Sequence, residues 1–131
     1  MKTLLSGLVL TLWLWAGVAG AQDTDSFFKG VQAYRAREYV AAASWFEQAA
    51  QQGDSDAQFL LGRMHYDGNS LSPDYVTAYQ WFAIAAETGQ AVASRYRDGL
   101  AGKMTEAEVT EGARRAAAWL AQHPLAPGPE R

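Results

Sequence analysis

Any chemistry in this chain would have to start from very few side chains. There are two histidines, His65 and His123. An imidazole on a helix works as a base or metal ligand when a second ligand or base stands at i+3 or i+4. His65 has none, because Asp67, two residues on, falls on another face. We therefore expect a half-buried packing histidine at 65 and an incidental one at 123, just before Pro124. The carboxylates group as Asp23/Asp25, Asp54/Asp56 and Glu106/Glu108/Glu111. All lie at or near expected helix starts, where they complement the helix dipole rather than forming an acid–base pair. No serine or threonine sits in a G-x-S-x-G context. Gly62, Gly68 and Gly89 lack the spacing of a phosphate loop. The chain has no cysteine, which removes disulfides, thiolate nucleophiles, thiolate metal sites and a lipid-modified N-terminal cysteine together. The expectation is a non-catalytic chain without metal or cofactor. Trp45 and Trp81 occupy equivalent positions and are expected to pack rather than to stack on a ligand.

Length and charge narrow the partners. The 131 residues suffice for one domain, and the net charge of −3 is the wrong sign for a phosphate backbone, so no nucleic-acid partner is expected. The N-terminus is a separate element. Lys2, an apolar run from Leu4 to Ala16 and Ala19-Gly20-Ala21 fit a secretory signal peptide cut after Ala21. The run is shorter than the ~20 residues of a membrane span, so no span is expected after cleavage, and the mature chain is expected to be exported, to the periplasm first and the medium as the alternative. Residues 124–131 are Pro-rich and are expected to form a loose tail.

Between these ends one helix occurs twice. Residues 39–53 (YVAAASWFEQAAQQG) and 75–89 (YVTAYQWFAIAAETG) align at an offset of 36. With Ala57/Ala93, nine identities share that offset, and such a period marks a helical repeat array. Tyr75, Ala78, Tyr79, Phe82, Ala85 and Ala86 share one helical stripe, with alanines admitting a neighbouring helix and aromatics filling the space beyond. Gly53 and Gly89 stand where a helix C-terminus needs positive φ. Asp54 or Ser55 can cap the next helix, whose apolar face is Ala57, Leu60, Leu61 and Met64; it stops near Asp67-Gly68. Pro73-Asp74 starts the following one. A first helix is expected over residues 27–37, with Phe28, Val31 and Tyr34 on one face. Thr105 and Glu108 form a capping-box pattern that opens the last helix, with Val109, Ala113, Ala116, Ala117 and Leu120 as its stripe and Trp119 echoing Trp81. The sequence thus predicts an all-α α-α solenoid of three antiparallel helix pairs, at about 25–53, 54–89 and 90–123, within a repeat domain spanning 22–123.

Leu61-Gly62, Gly68, Asp74-Tyr75, Ala78, Trp81-Phe82, Ala85-Ala86, Gly89 and Ala93 together resemble the Sel-one-like repeat (SLR) family, a branch of the tetratricopeptide-type repeats. The first pair is nearer the plain tetratricopeptide pattern, through Gly30, Tyr39, Ala42, Phe46 and Ala49. His65 stands where the family usually has tyrosine, Ser70 where a second glycine is common, and Arg97-Asp98 replaces the Leu-Gly of the third copy. The resemblance implies a right-handed superhelix that holds or scaffolds protein or peptide partners, often at bacterial envelopes. Some cysteine-rich members have been associated with β-lactam binding or hydrolysis, and a secreted effector-type role is another alternative. The first helix of each pair lines the concave face in such arrays, which places Phe27, Val31, Tyr34, Arg35, Asp56, Phe59, Arg63, Tyr66 and Arg95 in the groove. Tyrosine, phenylalanine and arginine are the types that dominate binding hot spots. The partly apolar ends of so short an array also admit a homodimer.

Overall fold

A computed structural model describes residues 23–69 and 73–125. The signal-peptide expectation, Ser70 with its loop neighbours, and most of the tail lie outside the described residues. Six helices follow one another: α1 Asp23–Arg35, α2 Tyr39–Gln51, α3 Ser55–Asp67, α4 Tyr75–Thr88, α5 Ala93–Ala101 and α6 Glu106–Gln122. No strand occurs among the described residues.

The helix boundaries have local causes. The Asp54 carboxylate accepts from the Ala57 N–H at 3.0 Å, and Asp74 accepts from the Thr77 N–H at 3.0 Å, so each satisfies an orphan donor of the turn it precedes. Thr105 and Glu108 form both hydrogen bonds of the capping box. Gly68 closes α3 at φ 71°, and Gly53 and Gly89 leave α2 and α4 at φ 95° and 121°. An L-residue avoids that region, and glycine enters it freely. The α1–α2 turn has no glycine. Arg37 takes φ 61° instead, and the α-helix stops at Arg35 rather than running to 37.

Two pairs build the regular part. α1 packs on α2 and α3 on α4, with α2 and α3 joining the pairs. The helix–helix contact is made the same way in both. A Cβ on Gly30 of α1 would stand 2.6 Å from the Phe46 ring, and one on Gly62 of α3 would stand 2.8 Å from the Phe82 ring. Each glycine therefore lets the partner helix's phenylalanine lie against backbone. Ala42, Phe46, Ala49 and Ala50 of α2 meet Ala57, Leu61 and Met64 of α3, then Trp81 and Ile84 of α4, in one continuous core. Gln58, fully buried, donates to the Ala50 carbonyl at 3.1 Å and accepts from the Thr88 hydroxyl, tying three helices.

The third unit is built differently. α5 and α6 both dock on α4 and barely touch each other. Gly112 of α6 sits against Tyr79, and Trp119 meets Trp81 edge-on at 6.0 Å. The buried side of α6 is Gly112, Ala116 and Trp119, whereas Ala113 and Ala117 are exposed. That corrects the expected stripe. In an alanine-rich helix nearly every face is mildly apolar, and the large indole sets the rotation. In α1, Phe27 turns inward and Phe28 is 57% exposed, opposite to the expected face. Tyr75, expected on the buried stripe of α4, is exposed.

Candidate binding site

α6 packs on α4 and hardly on the short α5. A pocket of about 370 Å³ opens beside α5, lined by Tyr66, Phe82, Arg95, Tyr96, Gly99, Leu100 and Lys103. Phe82 and Leu100 are buried and form its apolar floor. Gly99 contributes space, since a Cβ there would meet nothing within 4 Å. Tyr96 is the central wall. It packs edge-on against Phe59 of α3 at 4.9 Å and tilted against Phe82 at 5.5 Å, yet remains 41% exposed. These contacts anchor it and restrict its rotation, so the exposed ring is presented in one place.

The rim is cationic. Lys103 donates to the Tyr66 hydroxyl at 2.6 Å, and its ammonium lies 5.1 Å from the Tyr66 ring centroid. That hydrogen bond raises the Lys103 pKa above its ordinary value, so the amine stays charged. Tyr66 itself stacks on Tyr75 at 5.6 Å. The Arg63 guanidinium stands 5.9 Å from the Tyr96 ring centroid, and its nearest carboxylate, Asp67, is 3.6 Å away. Cation–π contacts of this kind steady a charge without neutralising it. Arg95 and Lys103 form no ion pair among the described residues, and no acidic side chain lines the pocket.

The structure brings four of the expected groove residues to this place. Tyr66 and Arg95 line the pocket, and Phe59 and Arg63 brace Tyr96. The other five are elsewhere. Phe27 and Val31 pack against the α1–α2 core, with Phe27 at 6.0 Å from Phe46. Tyr34 lies edge-on to Tyr39, and its hydroxyl accepts from the Asn69 amide at 3.2 Å; Arg35 is exposed on the same helix. Asp56 accepts from the Gln90 amide at 2.6 Å, linking the start of α3 to the α4–α5 turn. Tyr96 and Lys103 are the pocket residues the sequence pattern missed. Tyr96 belongs to no recognisable motif, and Lys103 reaches a partner 37 residues away through a turn that has no motif.

The histidines do no visible chemistry. His65 is half-buried, and desolvation by burial holds its pKa below the ordinary value against the opposing charges of Asp74 and Glu47. His123 is not incidental: it stacks on Trp119 at 3.8 Å and its Nδ1 lies 2.8 Å from the Trp119 carbonyl. Of the carboxylates, Glu111 holds Arg114 and Arg115 and is pulled down to about 2 by their hydrogen bonds. Among the described residues no group of three His, Cys, Asp or Glu side chains is placed to hold a metal ion, and no helix is long and apolar enough to cross a membrane.

Comparison with known proteins agrees with this architecture. Residues 27–54 and 55–89 match the Sel1 repeat, one copy for each regular helix pair. The crystal structure of c5321, a protective antigen present in uropathogenic Escherichia coli strains and displaying an SLR fold, is similar with a TM-score of 0.70 at 22% sequence identity. The similarity covers 83% of this chain and 27% of that one, so this chain spans about a quarter of its length. No curated protein matches the sequence. The fold is an all-α helical repeat solenoid, and the chain belongs to the Sel1-like repeat family. Its two matched repeats are α1–α2 and α3–α4, and α5 and α6 complete the array.

Proposed function

We propose that this protein is an exported, non-catalytic interaction module that holds a protein segment of the bacterial envelope on the face formed by α3 and α5. Repeat arrays of this family are frameworks on which side chains of successive first helices meet a partner. The observation that carries the reading here is the Tyr96 pocket. An aromatic braced by Phe59 and Phe82, part-exposed over an apolar floor and flanked by unpaired cations, has the composition of a protein-binding hot spot. The N-terminal sequence pattern supports export, with the periplasm as the compartment, and the mature chain would begin after Ala21.

Two experiments test this. Mass spectrometry of the protein recovered from periplasm and medium reports cleavage and destination. A mature N-terminus at Gln22 in the periplasmic fraction is expected, and intact Met1 in the cytoplasm contradicts export. Affinity capture from envelope extracts compares the native protein with Arg63→Glu/Tyr66→Ala. The native protein is expected to enrich a defined set of proteins that the variant loses while its circular dichroism spectrum is unchanged. An unchanged captured set contradicts the assignment of this face.

A further inference from the structure

The charge on the pocket rim specifies the partner more closely. It rests on the interaction-module reading and adds the chemical class of the segment bound. Three facts combine. The chain as a whole carries −3, yet the pocket lining has Arg95 and Lys103 and no acidic side chain. Neither cation is paired among the described residues, although a mildly acidic protein offers carboxylates elsewhere on its surface. The floor beneath them is apolar, built from Phe82 and Leu100. Below the rim there is room for an apolar side chain, and at the rim stand two positive charges, that of Lys103 held over the Tyr66 ring.

We infer that the pocket takes an acidic protein segment in extended form, with one large apolar side chain seated between Tyr66 and Tyr96 and flanking carboxylates against Arg95 and Lys103. The aromatic contacts give the tight component, through burial of apolar area. The cations are exposed and screened, so each carboxylate pair adds a modest increment, and the pairs together discriminate an acidic segment from a neutral one. A basic or neutral segment would fill the same floor and gain nothing at the rim. Arg63 is held partly by Asp67 and plays the lesser part.

The test uses three fluorescein-labelled peptides, each with one central phenylalanine, flanked by glutamates, by glutamines or by lysines. Fluorescence anisotropy with the mature protein at low salt should rank glutamate above glutamine by about tenfold or more, with lysine weakest. The gap should close as salt rises toward about 0.5 M, where the Debye length falls to a few ångströms. Arg95→Glu/Lys103→Glu should reverse the order. Gly99→Leu, which puts a side chain into open space within the pocket, should abolish binding of all three. Equal binding of the three peptides, or an order that survives the charge reversal, overturns the charge assignment. If Gly99→Leu still abolishes that equal binding, the interaction face stands and only the partner's class is wrong. Failure of the glutamate peptide to bind overturns the inference outright. So does a dimer, seen by light scattering, that the charge-reversed variant dissolves, since the pocket would then belong to a second copy.

Discussion

The Trp119 indole donates a hydrogen bond to the Gln51 side-chain oxygen at 2.8 Å, joining α6 to α2 across 68 residues of chain. The same indole meets Trp81 edge-on and carries the stacked His123 on its other side. One side chain thus fixes α6 to the outside of both regular repeats. α6 docks on α4 rather than on α5, and none of its residues lines the Tyr96 pocket.

Removing this anchor should cost stability in graded steps. Trp119→Phe keeps an aromatic against Trp81 and loses the hydrogen bond, an expected cost of about 1 kcal/mol. Trp119→Ala adds a cavity, for about 3–5 kcal/mol in all. Urea unfolding followed by circular dichroism measures both. No loss in Trp119→Phe would show that the indole hydrogen bond contributes nothing measurable, and equal losses for the two variants would show that a retained ring contributes nothing without it.

The glycine contacts predict opposite signs within one protein. Gly62→Ala drives a Cβ toward the Phe82 ring and within 3.3 Å of the Ala78 carbonyl oxygen, and overpacking of this kind costs about 1–3 kcal/mol. Gly99→Ala on the short α5 meets nothing and should stabilise by up to about 1 kcal/mol through helix propensity. Thermal melts of the two variants should shift in opposite directions.

The acid sensitivity of the fold should trace to His65. Burial lowers its folded pKa below the ordinary 6.5. The unfolded chain therefore takes up a proton near that value while the folded chain resists it. The stability His65 contributes is fully present above pH 6.5 and is lost as pH falls through the folded pKa. Urea midpoints should drop as pH falls below 6.5, and the drop should be shallower in His65→Gln. Identical pH profiles would assign the sensitivity to other groups.

The cap on α6 gives a fourth check. Thr105→Ala removes one half of the capping box and should cost about 1 kcal/mol. Because α6 buries little against α5, amide exchange should quicken in the first turn of α6 and remain unchanged in α5. Faster exchange in both helices would mean that they are coupled after all.

The repeat was legible because its period is written in large side chains. Phe46, Trp81 and Phe82 are irreplaceable volumes between helices, and Ala42, Ala49, Ala78 and Ala85 mark where helices close up. The caps were legible for a related reason: Asp54, Asp74 and Thr105 act within three residues of themselves. What was hidden depended on distance in sequence or on rotation. Ala113 and Ala117 resemble Ala116 in a one-dimensional pattern, and only the packing of Trp119 separates them. Phe27 and Phe28 are neighbours of identical type, and the Gly30–Phe46 contact decides which one turns inward. The pocket joins residues of α3, α4 and α5 that are far apart in sequence, so Arg95 could be picked out as a candidate while Tyr96 and Lys103 could not.

The central claim is that the α3–α5 face is where this protein meets its partner. The direct measurement is photo-crosslinking in the native host, with a photoreactive residue placed in turn at 95, 99 and 103 around the pocket and at 40, 113 and 117 on other exposed helix surfaces. The account predicts one discrete adduct from the three pocket positions, lost when Tyr66→Ala is combined with them, and none of comparable yield from positions 40, 113 or 117. Adducts of equal yield from all six positions, or a discrete adduct confined to α2 and α6, would contradict it.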